Sequence, residues 1–405
     1  MRILHALAQR PGRTGSGVFL QQLFKTGYEK GCEQAVLAGV PKNDQNPDID
    51  NLDLKNFYPV LFETQQLNFP VVGMSDVMPY DSTKYSDLDE KMYKAYESEF
   101  KKVITKAVEE FKPDVVICNH IWLLCTFIKD LYPNLKVLVL CHGTDLRQLE
   151  RAKMLVPIVK EKVPRCEYLF ALNSAQNEEI CELYDIPKSR VITSGSGYNP
   201  DTFFPIKKQK NKKVKIAYVG KICNYKGVPN LLNAIDTTQN FEKLELNLIG
   251  HGNVEESQDI IKSLSGRKTE VNYLGAIAQD ELAKFLRTCD IFILPSFFEG
   301  LPLVVIEALA SGTKVICTDL PGLDDFLGEE LKQLEAIRYI KMPRLKNVDT
   351  PYEEDIPAFE KQLSQKIDEV SSEIINDKIY KIDEVLKNLE DKTWNGLFNR
   401  LEKYF

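Results

Sequence analysis

Glu299 and Glu307 stand in the run Leu294-Pro-Ser-Phe-Phe-Glu-Gly-Leu-Pro-Leu-Val-Val-Ile-Glu-Ala-Leu-Ala-Ser-Gly312. The run leaves an apolar strand, turns at Glu299-Gly300 and opens a helix. Pro302 suits the first helical position, where its missing N–H would be unpaired anyway. Gly312 suits the left-handed residue that ends a helix. Between Leu303 and Ala310 the only polar side chain is Glu307, and a lone carboxylate on a buried helix is costly unless hydrogen-bonded. It reads as a satisfied structural glutamate, as a charge favoured by the helix start, or as a ligand for hydroxyls. Glu299 falls at the carboxyl end of a strand, the edge where open parallel sheets bind ligands. With Gly300 and the N–H groups of Leu301, Leu303 and Val304, the two carboxylates make a pocket for a polyhydroxyl group joined to phosphate.

Three further turns carry chemistry of the same kind. Gly220-Lys-Ile-Cys-Asn-Tyr-Lys-Gly227 follows a strand and holds Lys221 and Lys226 between glycines. Singly such lysines are solvated surface residues; beside an anion-binding helix start they are clamps for a diphosphate. Gly250, in Leu248-Ile-Gly-His-Gly252, closes another strand and either approaches a base or sugar or makes an ordinary tight turn. Near the start, Pro11-Gly-Arg-Thr-Gly-Ser-Gly17 departs from the dinucleotide fingerprint, yet Gly15, Ser16 and Gly17 place bare N–H groups at a helix N-terminus. In Cys141-His-Gly-Thr-Asp-Leu-Arg147, His142 lies just outside a buried strand, which favours a functional over a structural histidine.

These turns need sheets to present them. Short β-branched runs alternate with helical patterns throughout the 405 residues. One series of strands is expected from Met1 to about residue 194 and a second from about 215 to 317. Continuous Val/Ile/Leu runs joined by helices indicate parallel sheets covered on both faces, an α/β fold. Between the series, 201–213 is polar and proline-containing, a solvated linker. The tail from Ala358 is helical by composition and must dock somewhere.

Composition narrows the class without naming it. With 27% charged and 43% hydrophobic residues, the chain reads as soluble and globular, with two or three domains. It lacks an apolar run of roughly 18 residues, the length of a membrane span. A net charge of −7 argues against a nucleic-acid partner, which calls for a basic domain. Nine cysteines without a C-x-x-C pair read as buried reduced thiols of a cytoplasmic protein. The four histidines show no metal-ligand spacing. Asp48-Ile-Asp50 and Asp87-Leu-Asp89 lie in polar segments and read as a loop and a helix start rather than a metal site.

The ordered set of motifs resembles a family. Glu299-Gly-Leu-Pro…Glu307-Ala-Leu-Ala-Ser-Gly312 is similar to the E-x7-E motif of retaining GT-B glycosyltransferases, above all glycosyltransferase family 4. Val219-Gly-Lys…Lys226-Gly227, His142-Gly-Thr-Asp145 and Gly15-Ser-Gly17 stand in the family's order. Ser196–Pro205 resembles the segment leading into its hinge, and Lys392-Thr-Trp-Asn…Tyr404 its closing helix. The resemblance implies two facing Rossmann-like domains with an interdomain cleft: 1–204 on the acceptor side, 205–385 binding the donor, and 386–405 as a helix crossing back to the first.

The same resemblance implies roles. Glu299 contacts the donor sugar near the reacting centre, Glu307 the nucleotide ribose, and Lys221 and Lys226 the diphosphate. His142 touches the donor sugar, the Gly15–Gly17 loop closes over phosphate, and the N–H groups after Gly300 complete the phosphate site. Lys221 stands where the family commonly has arginine, so the charge is kept and bidentate geometry is lost. The expected donor is a nucleotide sugar, with UDP favoured; no metal or other cofactor is expected, because cations, helix dipole and backbone donors can meet the leaving diphosphate. The acceptor is a glycan, a lipid-linked saccharide or a small molecule. The family's acidic residue after Thr318–Gly322 would be Asp324 or Asp325, and 329–357 and 69–111 are distinctive.

The alternatives are a GT-B relative acting as an epimerase or phosphorylase, and a non-catalytic nucleotide-sugar-binding protein. The basic amphipathic stretch 145–165 can lie on an anionic membrane surface, giving peripheral contact with its inner face. The preferred reading is a half-buried helix with a solvated face.

Overall fold

The apolar runs expected as strands form two separate parallel sheets, each in its own unit of the chain. The computed structural model describes residues 1–12, 14–75, 78–208, 212–252 and 255–405. One unit comprises Met1–Ser196 with Trp394–Phe405, the other Gly197–Thr393.

Along the first unit come β1 (Arg2–Leu7), β2 (Glu33–Pro41), β3 (Phe57–Phe62), the short β4 (Val72–Gly73) and β5 (Thr83–Lys84), then β6 (Val115–Asn119), β7 (Lys136–Leu140), β8 (Tyr168–Ala171) and β9 (Val191–Thr193). β4 and β5 pair with each other. The rest form one sheet in the order β3-β2-β1-β6-β7-β8-β9, every neighbouring pair parallel. Parallel pairing requires crossovers, which the helices Gly15–Glu29, Glu90–Phe111, Leu123–Leu131 and Ser174–Tyr184 supply. Helices on both faces leave no strand face for water, so β6 is buried at every residue. That is why its sequence is apolar without alternation. His5, inside β1, is fully buried and bonded to Gln34 Oε1 at 2.8 Å. Burial pushes it down to about 4, so it serves the core as a neutral imidazole.

The tyrosine-rich stretch 69–111 builds core. Tyr96, Phe100 and Ile104 line the buried face of its helix, the Tyr96 and Phe100 rings lie 4.5 Å apart, and the buried hydroxyls of Tyr85 and Tyr96 meet at 3.1 Å.

The second unit holds β10 (Val214–Val219), β11 (Leu244–Ile249), β12 (Glu270–Gly275), β13 (Ile291–Leu294), β14 (Lys314–Thr318) and β15 (Ile337–Ile340). Their order is β12-β11-β10-β13-β14-β15, again parallel throughout. β15 falls in the distinctive 329–357 segment, which thus supplies an edge strand.

The expected domain limits shift. The division at 204/205 falls instead between Ser196 and Gly197, because Tyr198 and Phe203 are buried in the second core. The return expected from 386 begins at Trp394, because Val385 and Leu389 also belong to that core. From Trp394 the chain re-enters the first unit. The helix Trp394–Glu402 packs on Gly15–Glu29, the Trp394 ring meets Phe19 edge-on at 5.1 Å, and Tyr404 meets Tyr168 at 4.7 Å.

In each sheet the chain order reverses once, between β1 and β6 and between β10 and β13. At such a switch point the loops leaving two neighbouring strands diverge and open a crevice at their carboxyl ends.

Candidate functional site

The switch point of the second sheet brings together the turn after β10 and the turn after β13. They are locked by backbone: Phe297 N–H donates to Tyr225 O at 3.0 Å. Gly227, in the left-handed region at φ +68, passes so close that a Cβ would lie 2.1 Å from Pro295 O. Lys226 and Glu299 therefore meet. Lys226 Nζ lies 2.6 Å from Glu299 Oε1, with 14% and 17% of the two side chains exposed. The ammonium also donates to Phe298 O at 3.3 Å, and Ser296 Oγ donates to Glu299 Oε1 at 2.9 Å. A partly buried, multiply bonded pair of this kind holds its geometry better than a surface pair.

Lys221 is exposed, and among the described residues its ammonium has no carboxylate partner; its carbonyl accepts from Tyr218 Oη at 2.7 Å. Gly250 ends β11 against the neighbouring turn, where a Cβ would sit 1.8 Å from Gly220 O. Its N–H donates to Gly275 O at 2.9 Å.

The helix after Gly300 spans Leu303–Ala310, one residue later than expected. Pro302 is its N-cap rather than its first residue, because its ψ of 92 is extended and its carbonyl already accepts from Val305 N–H at 3.0 Å. No side chain caps this start. Gly312 ends the helix at φ +79. Glu307 is partly buried and accepts from Gln279 Nε2 at 3.4 Å. Burial pushes its carboxyl up to about 7, against the lowering effect of that bond. Among the described residues no contact joins Glu299 to Glu307; the first pairs with Lys226 and the second with Gln279.

The first unit arranges its candidates at the carboxyl edge of its own sheet. Gly15, Ser16 and Gly17 form the first turn of the helix Gly15–Glu29 and not a free loop. Thr14 caps it by accepting from Gly17 N–H at 3.1 Å, which removes that donor from the expected phosphate set. Ser16 Oγ accepts from Gln9 Nε2 at 2.9 Å. His142 follows β7, with its Nε2 3.1 Å from Asn119 Oδ1 and its ring 5.0 Å from Phe19. Burial, and next the neighbouring His120, hold His142 well below the ordinary imidazole range.

Reading the sequence missed His120 as part of this edge. The signal was available, since His120 follows the apolar strand β6 just as His142 follows β7.

Other expectations find their places. Asp89 caps the helix Glu90–Phe111 by accepting from Met92 N–H at 2.8 Å, and Asp48 and Asp50 are exposed. Asp324 accepts from Lys332 Nζ at 3.0 Å. The 145–165 stretch is two short helices, Asp145–Arg151 and Val156–Lys162, with Leu155 and Val159 buried and Lys153 and Lys160 exposed. Among the described residues no helix is long and apolar enough to cross a membrane.

Two doubly wound parallel sheets, each with its candidates at the switch-point edge, define the architecture of GT-B glycosyltransferases. Solved structures agree. The lipopolysaccharide outer core galactosyltransferase WaaB in its apo form matches with a TM-score of 0.66 at 17% identity, covering 100% of this chain and 99% of that one. HepE of Anabaena, in complex with UDP and glucose, matches with a TM-score of 0.66 at 13% identity, covering 100% and 98%.

Residues 200–335 match the family glycosyl transferases group 1, and the chain resembles that family in sequence while having its GT-B fold. An uncharacterized glycosyltransferase of Methanocaldococcus jannaschii is 24% identical over 224 residues, 47% of this chain and 57% of the relative. The matched stretch thus spans little more than half the length of that curated relative.

Proposed function

We propose that this protein is a group 1 glycosyltransferase that moves a sugar from a nucleoside-diphosphate sugar to a hydroxyl acceptor with retention of configuration. The observation that carries the reading is the Lys226–Glu299 pair, held at 2.6 Å at the switch point of the second sheet. The Gly220–Gly227 turn supplies two ammonium groups, and the uncapped helix start at Leu303 supplies backbone donors for the diphosphate. Charge developing on the leaving diphosphate is thereby met without a required metal ion.

The diphosphate competes with Glu299 for Lys226. Releasing the carboxylate lets Glu299 orient the sugar and stabilise positive charge at the reacting carbon. The leaving diphosphate takes the acceptor proton, so Glu299 forms no covalent intermediate. Glu307 accepts from ribose hydroxyls, Gly250 gives close approach to the nucleotide, and the backbone around Gly300, Leu301, Pro302 and Leu303 bounds the phosphate site. In the first unit, His142 and the turn at Gly15–Ser16 serve the sugar and phosphate ends of the same reaction. The complex of HepE with UDP and glucose supports UDP as the nucleotide. The acceptor is a glycan, a lipid-linked saccharide or a small molecule. The free thiols, most of them buried, support a cytoplasmic setting.

The test is Glu299→Gln beside Lys226→Ala, with UDP-sugar turnover and UDP binding measured for both. Loss of a transition-state contact lowers kcat about 10²–10³-fold in Glu299→Gln, with UDP affinity kept or raised because Lys226 loses its competing carboxylate. Loss of a charge-assisted phosphate contact weakens UDP about tenfold or more in Lys226→Ala. Wild-type turnover in Glu299→Gln with unchanged donor binding would overturn the assignment of Glu299.

A further inference from the structure

His120 adopts φ +78 directly after β6, with 4% of it exposed. A left-handed conformation at a residue other than glycine costs about 1–3 kcal/mol and persists only where surrounding bonds demand it. Here they do. His120 N–H donates to Leu140 O at 2.8 Å, and its Nδ1 lies 2.8 Å from Asp145 Oδ2.

Asp145 is fully buried, and its carboxylate is shared. Oδ1 accepts from Ile121 N–H, and Oδ2 accepts from His142 N–H at 3.0 Å as well as facing His120. The titratable groups around it, Tyr85, Cys141 and Tyr184, are all pushed up, by burial first, and stay neutral. With both oxygens already facing backbone donors, the carboxylate acts as acceptor. Nδ1 of His120 therefore carries the hydrogen. The His120 and His142 rings lie 4.7 Å apart. One carboxylate thus holds the ring of one histidine and the backbone of the other.

We propose that Asp145 and His120 are positioning residues for His142, presenting its imidazole to an uncharged sugar hydroxyl rather than to a phosphate. The proposal rests on the reading of His142 as a sugar-binding group in the transfer reaction. Its physical basis is the shared carboxylate together with the ring contact. The neutral state of His142 fits a hydroxyl, which can donate to or accept from an imidazole, and gives no charge to an anion. Asp145 secures the strained backbone at His120, so the loop after β6 and the turn after β7 move as one piece.

Two measurements test this. The chain has four histidines, so ¹⁵N-histidine labelling resolves each ring. The wild-type protein without substrate should show His120 with hydrogen on Nδ1; hydrogen on Nε2 alone would overturn the proposal. The second compares His120→Asn, His120→Gln and His120→Ala by sugar transfer and thermal unfolding. Asparagine tolerates the left-handed backbone, and its amide nitrogen stands in for Nδ1, whereas glutamine reaches the place of Nε2. Positioning through Asp145 predicts His120→Asn within about threefold of wild-type kcat. His120→Gln and His120→Ala should lose about 10–100-fold, with donor KM changed less than about threefold. Activity kept by glutamine and lost by asparagine would overturn the proposal in favour of direct contact, and wild-type kcat in all three would remove His120 from the reaction. If the wild-type protein transfers no sugar, the glycosyltransferase reading fails, while the labelling result still decides the tautomer.

Discussion

Glu307 has two readings that the structure makes separable, a satisfied structural carboxylate or a ligand for hydroxyls. Its neighbour Gln279 contributes one long bond at 3.4 Å, and burial raises the carboxyl to about 7. An acid whose folded pKa lies above its unfolded one lends most stability in its protonated form. That contribution is complete below the unfolded value of about 4.5 and is lost as pH rises through 7. Glu307→Gln should therefore raise the stability of the second unit above about pH 7, by on the order of 2–3 kcal/mol, read from urea denaturation. Ribose hydroxyls favour the ionised acceptor, so UDP affinity of the wild type should fall between about pH 8 and about pH 6, and the variant should lose this dependence. A structural glutamate would show the opposite, a less stable variant with unchanged UDP binding. Residue identity and spacing made Glu299, Glu307, Lys226 and His142 candidates. That Lys226 pairs with Glu299 while Glu307 turns to Gln279 was not legible, because a long side chain's partner depends on which loops share an edge.

At the scale of elements, the turn after β10 and the turn after β13 depend on one another through Gly227 and Pro295. Gly227→Ala adds a Cβ 2.1 Å from Pro295 O at a left-handed φ. The left-handed penalty alone is about 1–2 kcal/mol, and the clash with backbone adds to it. The variant should be destabilised by roughly 3 kcal/mol or more in urea denaturation and lose UDP affinity, because displacing Pro295 carries Ser296 and Glu299 with it. An unchanged UDP affinity in a folded variant would separate the two turns. Most strands were legible from continuous apolar runs, since burial on both faces removes alternation. β3 and β15 were not, nor were the two-residue β4 and β5. Pro59 interrupts β3 and Arg338 sits within β15, and in both strands part-exposed residues stand between buried ones. A helix start slipped where the cap decides the boundary: Pro302, expected as the first helical residue, is the N-cap, and the helix begins at Leu303.

At the scale of the whole molecule, the final helix belongs to the first unit although the whole of the second lies before it in sequence. Trp394, Leu397, Phe398 and Leu401 are buried there, and fully burying each such side chain is worth about 1.5–3 kcal/mol. Deleting Trp394–Phe405 uncovers Phe19 and should lower the unfolding temperature of the first unit by on the order of 10 °C while leaving that of the second. Calorimetry that showed both transitions shifting equally would contradict the division of the core into two. Sequence alone determined the α/β class, the two series of strands and the turns that leave them. It could do so because burial and turn formation are local demands on residue type. The tertiary structure decided that the division falls at Ser196 and that β15 completes the second sheet. It also showed that one buried carboxylate, Asp145, ties His120, which lies 25 positions before it, to His142. Those outcomes depend on which distant segments share a core or an edge, and no local pattern of residues encodes that.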